Sequence, residues 1–200
     1  MKNIYILLSR PNSFVSRLIA FFSCTEYSHV SMAYDSELHS LCSFARKYHF
    51  PLPGGLVTEN ENGVLRKPLR NAKCVILSAS VPENMFETFR SRIDTMLLNR
   101  DKYHYSLRGL FFCSLGIETH REYYYFCSQF VAEMLNCAGV RGIPKPPTLM
   151  KPLDFLEIPN LDCVYNGVLC EYLSRVSEKN RLQGRNQGSG YQSHCDSFQK

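Results

Sequence analysis

Tyr123-Tyr124-Tyr125-Phe126-Cys127-Ser128-Gln129-Phe130-Val131-Ala132-Glu133-Met134-Leu135 leads from an aromatic, strand-like run directly into an amphipathic helix, with a cysteine at the junction. Phe130, Val131, Met134 and Leu135 recur at helical spacing, and Gly139 supplies the stop. A helix start offers free backbone N–H groups and the positive end of the macrodipole, and both favour the thiolate, the nucleophilic form of cysteine. The same N–H groups donate to the oxyanion of a tetrahedral intermediate. A free cysteine is more often just a small buried hydrophobe, so Cys127 becomes chemically interesting only with a base beside it.

The candidate base is His29 in Glu26-Tyr27-Ser28-His29-Val30-Ser31-Met32-Ala33-Tyr34, where the apolar period changes to two and a strand begins. Asp35-Ser36-Glu37 reads as a three-residue turn, and Leu38 to Phe44 alternates again, which makes a hairpin. With that turn Tyr34 faces Leu38, His29 lies opposite Ser43, and His39 pairs with Ala33. His39 is then about 13 Å from His29 along the strand and is a poor orienter of its ring. Ser43 is in register but is a weak partner for an imidazolium, which a carboxylate both orients and stabilises. Glu59, ending Gly55-Leu56-Val57-Thr58-Glu59, is the nearest carboxylate in sequence, and both residues stand as rival third members.

The remaining elements surround these two stretches. Asn3 to Leu8 reads as a buried strand; Asn12-Ser13 caps a helix carrying Phe14, Val15, Leu18, Ile19 and Phe22; Leu56–Thr58 and Lys73–Ser78 are further strands; Glu61-Asn62-Gly63 is turn-like. Ser80 with Glu83 forms a capping box, and Phe86, Phe89, Ile93, Met96 and Leu97 make a core-facing helical stripe. Tyr103 to Leu115 fits helix or strand, and Pro144, Pro146, Pro147 and Pro152 predict an extended loop. Residues 177–200 are polar with almost no aliphatic side chains and are expected to be a disordered tail after one domain spanning 1–176. The expected class is α+β: an antiparallel sheet or half-barrel packed against helices, the cysteine-bearing helix among them.

Composition narrows the function classes. With 44% hydrophobic and 20% charged residues over 200 positions, the chain has enough apolar material for a core, and no apolar run approaches the length needed to cross a bilayer. The net charge of +5 is modest and spread along the chain, which argues against a nucleic-acid partner. Nine cysteines, an odd number without CxxC spacing, argue against a disulfide framework, a zinc ribbon or another metal or redox centre, and point to a reducing cytoplasmic compartment.

A histidine opening a hairpin strand (Tyr27-Ser28-His29-Val30-Ser31), followed about a hundred residues later by Phe126-Cys127-Ser128-Gln129-Phe130-Val131 on a helix, resembles the circularly permuted papain-like hydrolases of the NlpC superfamily. In the unpermuted members the cysteine helix precedes the histidine strand, and here the order is reversed. The likeness covers about residues 1–170. It is nearest to uncharacterised proteins of Gram-positive bacteria that share His29-Val30-Ser31, Ser43-Phe44-Ala45-Arg46-Lys47, Gly55–Glu59 and Phe126–Val131.

The resemblance implies a permuted papain-like fold with Cys127 as nucleophile and His29 as base. It also implies a tyrosine completing the oxyanion site, for which Tyr105 is the match and Tyr103 the rival. Amidase-like permuted members carry an acid on the second hairpin strand where this chain has Ser43, so Glu59 is a substitute. The implied function is a thiol hydrolase or acyltransferase acting on an amide, peptide or ester bond of a small-molecule, peptide or lipid-like acyl substrate, without a cofactor or metal. The alternative is a catalytically inactive binding module on the same fold.

Overall fold

Ile4, Ile6 and Leu8 alternate with Leu7 along the first strand, so this strand has an apolar side chain to bury on each of its two faces. The computed structural model describes residues 1–10, 26–45, 54–58 and 69–188, with side chains described as far as Leu182. The expected helix after Asn12-Ser13, the turn at Glu61-Asn62-Gly63 and Glu59 all lie outside the described residues.

Strand β1 (Lys2–Ser9) is central in an eight-stranded, curled half-barrel sheet whose order is β7-β6-β4-β3-β2-β1-β5-β8. The other strands are β2 (His29–Ala33), β3 (Cys42–Ala45), β4 (Gly55–Thr58), β5 (Lys73–Val81), β6 (His104–Tyr105), β7 (Tyr124–Tyr125) and β8 (Asp162–Val168). Every neighbouring pair is antiparallel except β6 and β7, which run parallel. Helices α1 (Glu83–Leu98) and α3 (Cys127–Cys137) cover one face; α2 (Leu107–Ser114) adjoins the short β6, and α4 (Leu169–Gly188) follows β8. The class is therefore α+β, as the alternation of periods predicts.

The two faces hold separate cores. Ile4, Ile6, Leu8, Val30, Met32, Phe44 and Leu77 pack against Phe89 and Ile93 of α1 and Phe130, Val131 and Met134 of α3. Leu7, Ala33, Leu38, Leu41 and Ile76 pack against Tyr165, Leu169 and Tyr172 on the opposite face. Fully burying one such aliphatic or aromatic side chain contributes about 1.5–3 kcal/mol, so the larger cluster under α1 and α3 supplies most of the folding drive.

The first hairpin differs from the expected one. Its connection runs from Tyr34 to Leu41 instead of three residues, and Met32 pairs with Cys42. The Asp35 carboxylate organises this longer loop by accepting from the backbone N–H groups of His39 and Ser40, each at 2.8 Å, and from the Ser40 hydroxyl. Burial raises the Asp35 pKa, but these donors more than offset it and hold the carboxyl below its ordinary range. Leu38, at φ 59°, accepts a left-handed backbone in exchange for burying its side chain in the second core. Continuing the observed register, Ala45 falls opposite His29 and Ser43 opposite Ser31, so Ser43 stays on the face of His29 but lies about 7 Å further along.

Two other expectations are corrected, and one left open is resolved. Ser80 is no capping residue: β5 continues to Val81, Ser80 pairs with Asn3 of β1, and Pro82 precedes α1 without a side-chain cap. Ladder pairing with the central strand outweighs a local cap. Tyr103–Leu115 divides into a short strand and a helix, with Ser106 between them accepting from Gly109 N–H at 3.0 Å.

The expected tail from 177 begins as helix, because α4 extends to Gly188. Leu169 and Tyr172 anchor its first turn in the second core, and residues with good helix propensity (Glu178, Lys179, Arg181, Leu182) propagate it although 177–182 are exposed. The Tyr172 hydroxyl donates to Ser36 O at 2.8 Å, and Asn180 bonds the Glu37 carboxylate, so α4 lies against the hairpin loop. Among the described residues, no helix is long and apolar enough to cross a membrane.

This packing makes unequal demands on α4. In urea unfolding, Tyr172→Ala is expected to cost about 3 kcal/mol, because it empties a site against Tyr165 and strands the Ser36 carbonyl. Asn180→Ala, which touches only the exposed Glu37 contact, should stay within about 0.5 kcal/mol.

Candidate active site

Phe126 is extended and offers no side chain to cap α3, so the first N–H groups of that helix are left for other acceptors. The helix is held by its apolar face: Phe130, Val131, Met134 and Leu135 are fully or almost fully buried, and Phe44 of β3 meets Phe130 and Tyr125 with ring centroids at 5.2 and 5.0 Å. That packing sets the N-terminus of α3 against the start of β2, where His29 stands.

Cys127 and His29 are brought together there. The Cys127 thiol is hydrogen-bonded to the His29 side chain and to the backbone N–H groups of Val30 and Ser128. Burial pushes its pKa up; the His29 hydrogen bond and charge, with the two backbone donors, overcome this and hold the thiol below its ordinary range. Other buried cysteines show the opposite. Burial, helped by the nearby Cys170, pushes the Cys74 thiol up to about 12, and burial also raises Cys113. All seven described cysteines are free thiols.

The remaining sequence candidates divide. Ser43 is completely buried on β3, paired with Val57, and the altered hairpin register removes it from the position opposite His29. His39 is engaged in the hairpin loop, with Nδ1 2.9 Å from Glu37 Oε2. Tyr103 is part of an aromatic cluster, its ring packed against Phe44, Tyr123 and Tyr125. Tyr105 pairs with Tyr125 across the parallel β6–β7 ladder and lines a cavity of about 500 Å³ together with Gln129 of the first α3 turn. Of the two tyrosines, Tyr105 lines this cavity and Tyr103 does not. Among the described residues, no group of three His, Cys, Asp or Glu side chains is placed to hold a metal ion.

Several contributing residues escape a reading by motif. Ser128 Oγ donates to Met150 O at 2.6 Å, tying the proline-rich segment to the residue after the cysteine. That segment forms two short 3-10 turns, Pro147–Leu149 and Pro152–Glu157, instead of an extended loop, and Lys145 Nζ braces it 2.6 Å from Asp154 Oδ1. Gln129 Nε2 donates to Glu133 Oε1 at 3.2 Å. Burial raises the Glu133 pKa against the hydrogen bonds from Gln129 and Tyr125 and the charges of His120 and Arg92. The helical spacing of Gln129 and Glu133 was the available signal, but it resembles any solvated helix pair.

The chain matches no protein-family model and shows no significant match to any curated protein.

The raised Glu133 pKa has a consequence for stability. Its folded value exceeds its unfolded one, so the folded protein binds more protons and stability falls as pH rises through the interval between them. Glu133→Gln keeps an acceptor but removes the ionisation. Thermal melts should give the variant a higher Tm at pH 7, with the difference vanishing below the ordinary carboxylate value of 4.5.

Proposed function

We propose that the protein is a thiol hydrolase or acyltransferase of the permuted papain-like type that acts on an amide, peptide or ester bond. The observation that carries this reading is the desolvated Cys127 thiol, hydrogen-bonded to His29 and to two backbone N–H groups, with its pKa lowered in spite of burial. The first-turn position of Cys127 and the open space beside Tyr105 add to it.

In this reading the Cys127 thiol passes its proton to the His29 imidazole and the sulfur attacks the carbonyl carbon of the substrate. A C–S bond forms, the carbonyl π pair moves to oxygen, and α3 N–H groups and the Tyr105 hydroxyl donate to that oxyanion. As the tetrahedral intermediate collapses, the C–N or C–O bond breaks and the imidazolium of His29 gives its proton to the leaving group. Water or an acceptor alcohol or amine then attacks the thioester, His29 takes the proton, and the thiol is released. Glu59 or Ser43 orients the second imidazole nitrogen. A small-molecule, peptide or lipid-like acyl compound is the substrate class.

Alkylation by iodoacetamide, read at the Cys127 peptide, tests the pair without requiring a known substrate. Cys127 should react faster than a model thiol and keep reacting below the ordinary thiol value of 9.0, and His29→Ala should move the profile upward. Reaction no faster than a model thiol would instead indicate an inactive binding module. Once a hydrolysable substrate is found, Cys127→Ala and His29→Ala should each lower its turnover on the order of 10³-fold or more, whereas Cys113→Ala and Cys137→Ala should not.

The orienting residue is tested separately. If Glu59 holds the ring, Glu59→Gln slows alkylation and displaces its pH profile while Ser43→Ala changes little; the reverse order assigns the role to Ser43.

A further inference from the structure

The cavity beside the first turn of α3 has a composition that fits one kind of chemical group. Arg108, His120 and Arg121 line it together with Tyr105, Tyr124 and Gln129, and Leu107 is its one purely aliphatic side chain among the described residues. Neither Arg108 nor Arg121 is paired with a carboxylate among the described residues. Both are held by aromatic rings: the Arg121 guanidinium carbon is 3.6 Å from the Tyr124 ring centroid, and that of Arg108 is 5.4 Å from the ring of Phe112. Stacking restrains a guanidinium while leaving its N–H edge free, and that edge matches the geometry of a carboxylate or phosphate. Glu118 and Glu122, the nearest acids in sequence, are not among the lining residues.

We propose that this cavity, beside the first turn of the helix that carries Cys127, is a subsite for an anionic group of the acyl substrate, a carboxylate or a phosphate, gripped by Arg108 and Arg121. The proposal rests on the reading of Cys127 as nucleophile and extends it to substrate class: the bond cleaved belongs to a molecule that carries negative charge close to the scissile carbonyl. Gln129, on the same helical turn as Cys127, and Tyr105 both line this subsite. An uncharged or purely aliphatic acyl group would leave two guanidinium groups without a partner as it displaced their water.

The test compares an anionic and a neutral alkylating reagent at the same sulfur. The rate ratio of iodoacetate to iodoacetamide at Cys127, read by mass spectrometry of its peptide, reports how strongly the approach to the thiol favours a carboxylate. In Arg108→Gln/Arg121→Gln the ratio should fall about tenfold, with a part of that in each single variant, which corresponds to about 1.4 kcal/mol shared between the two guanidinium groups. Arg121→Lys should recover part of the loss. Arg90→Gln/Arg175→Gln, which removes the same charge from α1 and α4, should leave the ratio unchanged.

Glutarate and inorganic phosphate should each slow the iodoacetate reaction in the unsubstituted protein and not in the double variant, and the better protectant identifies the anion. A ratio that stays within about twofold in Arg108→Gln/Arg121→Gln overturns the subsite, as does an equal fall in Arg90→Gln/Arg175→Gln, which would mean only a long-range field. Failure of the nucleophile reading is separate. It would appear as iodoacetamide reacting no faster than with a model thiol in the unsubstituted protein.

Discussion

A buried thiol becomes harder to ionise unless donors replace the water it has lost, and at Cys127 the donors together outweigh the burial. His29 and the N–H groups of Val30 and Ser128 converge on one sulfur. The donors come from two elements separated by about half of the 200-residue chain, so their meeting depends on how α3 is seated on the sheet. Phe130, Val131 and Met134 must enter the same core as Val30, Met32 and Phe44 for the start of α3 to reach the start of β2. A displacement of one helical residue, about 1.5 Å, would be enough to spoil hydrogen bonds of this kind.

Cys74 and Cys113 show what burial does where it prevails. Cys74 lies in the second core and its thiol is forced to about 12, while Cys113, close to the α3 start, is also raised by burial. Low solvent exposure therefore does not by itself set the direction of a thiol's pKa shift. The distinction comes from backbone N–H groups at a helix start and an imidazole at a strand end. The proline-rich segment contributes by accepting from Ser128 at Met150 O, which fixes the residue whose N–H serves the sulfur.

Elements with strong local periodicity are legible in the amino-acid sequence. The β1 alternation, the α1 stripe of Phe86, Phe89, Ile93 and Met96, and the α3 stripe ending before Gly139, at φ 76°, all occur where their patterns place them. The hairpin between β2 and β3 is different. Asp35-Ser36-Glu37 has the composition of a tight turn, yet the donors that settle the Asp35 carboxylate are on His39 and Ser40, beyond that turn. Satisfying them lengthens the loop and sets Met32 against Cys42, a register in which Ser43 no longer falls opposite His29. The capping box failed for a related reason: pairing with β1 drew Ser80 into a strand.

What the sequence determines by itself is the set of elements and the chemical character of two residues at their ends: a cysteine opening an amphipathic helix and a histidine opening a strand. These are local properties, fixed by periods of 3.6 and 2.0 and by what flanks them. Tertiary structure alone decided that the two side chains meet, that Tyr105 faces the cavity while Tyr103 packs among aromatic rings, and that Arg108 and Arg121 line that cavity. Those outcomes depend on strand register and on the seating of α3, and both are set by the burial of side chains far apart in the chain, which no local pattern records.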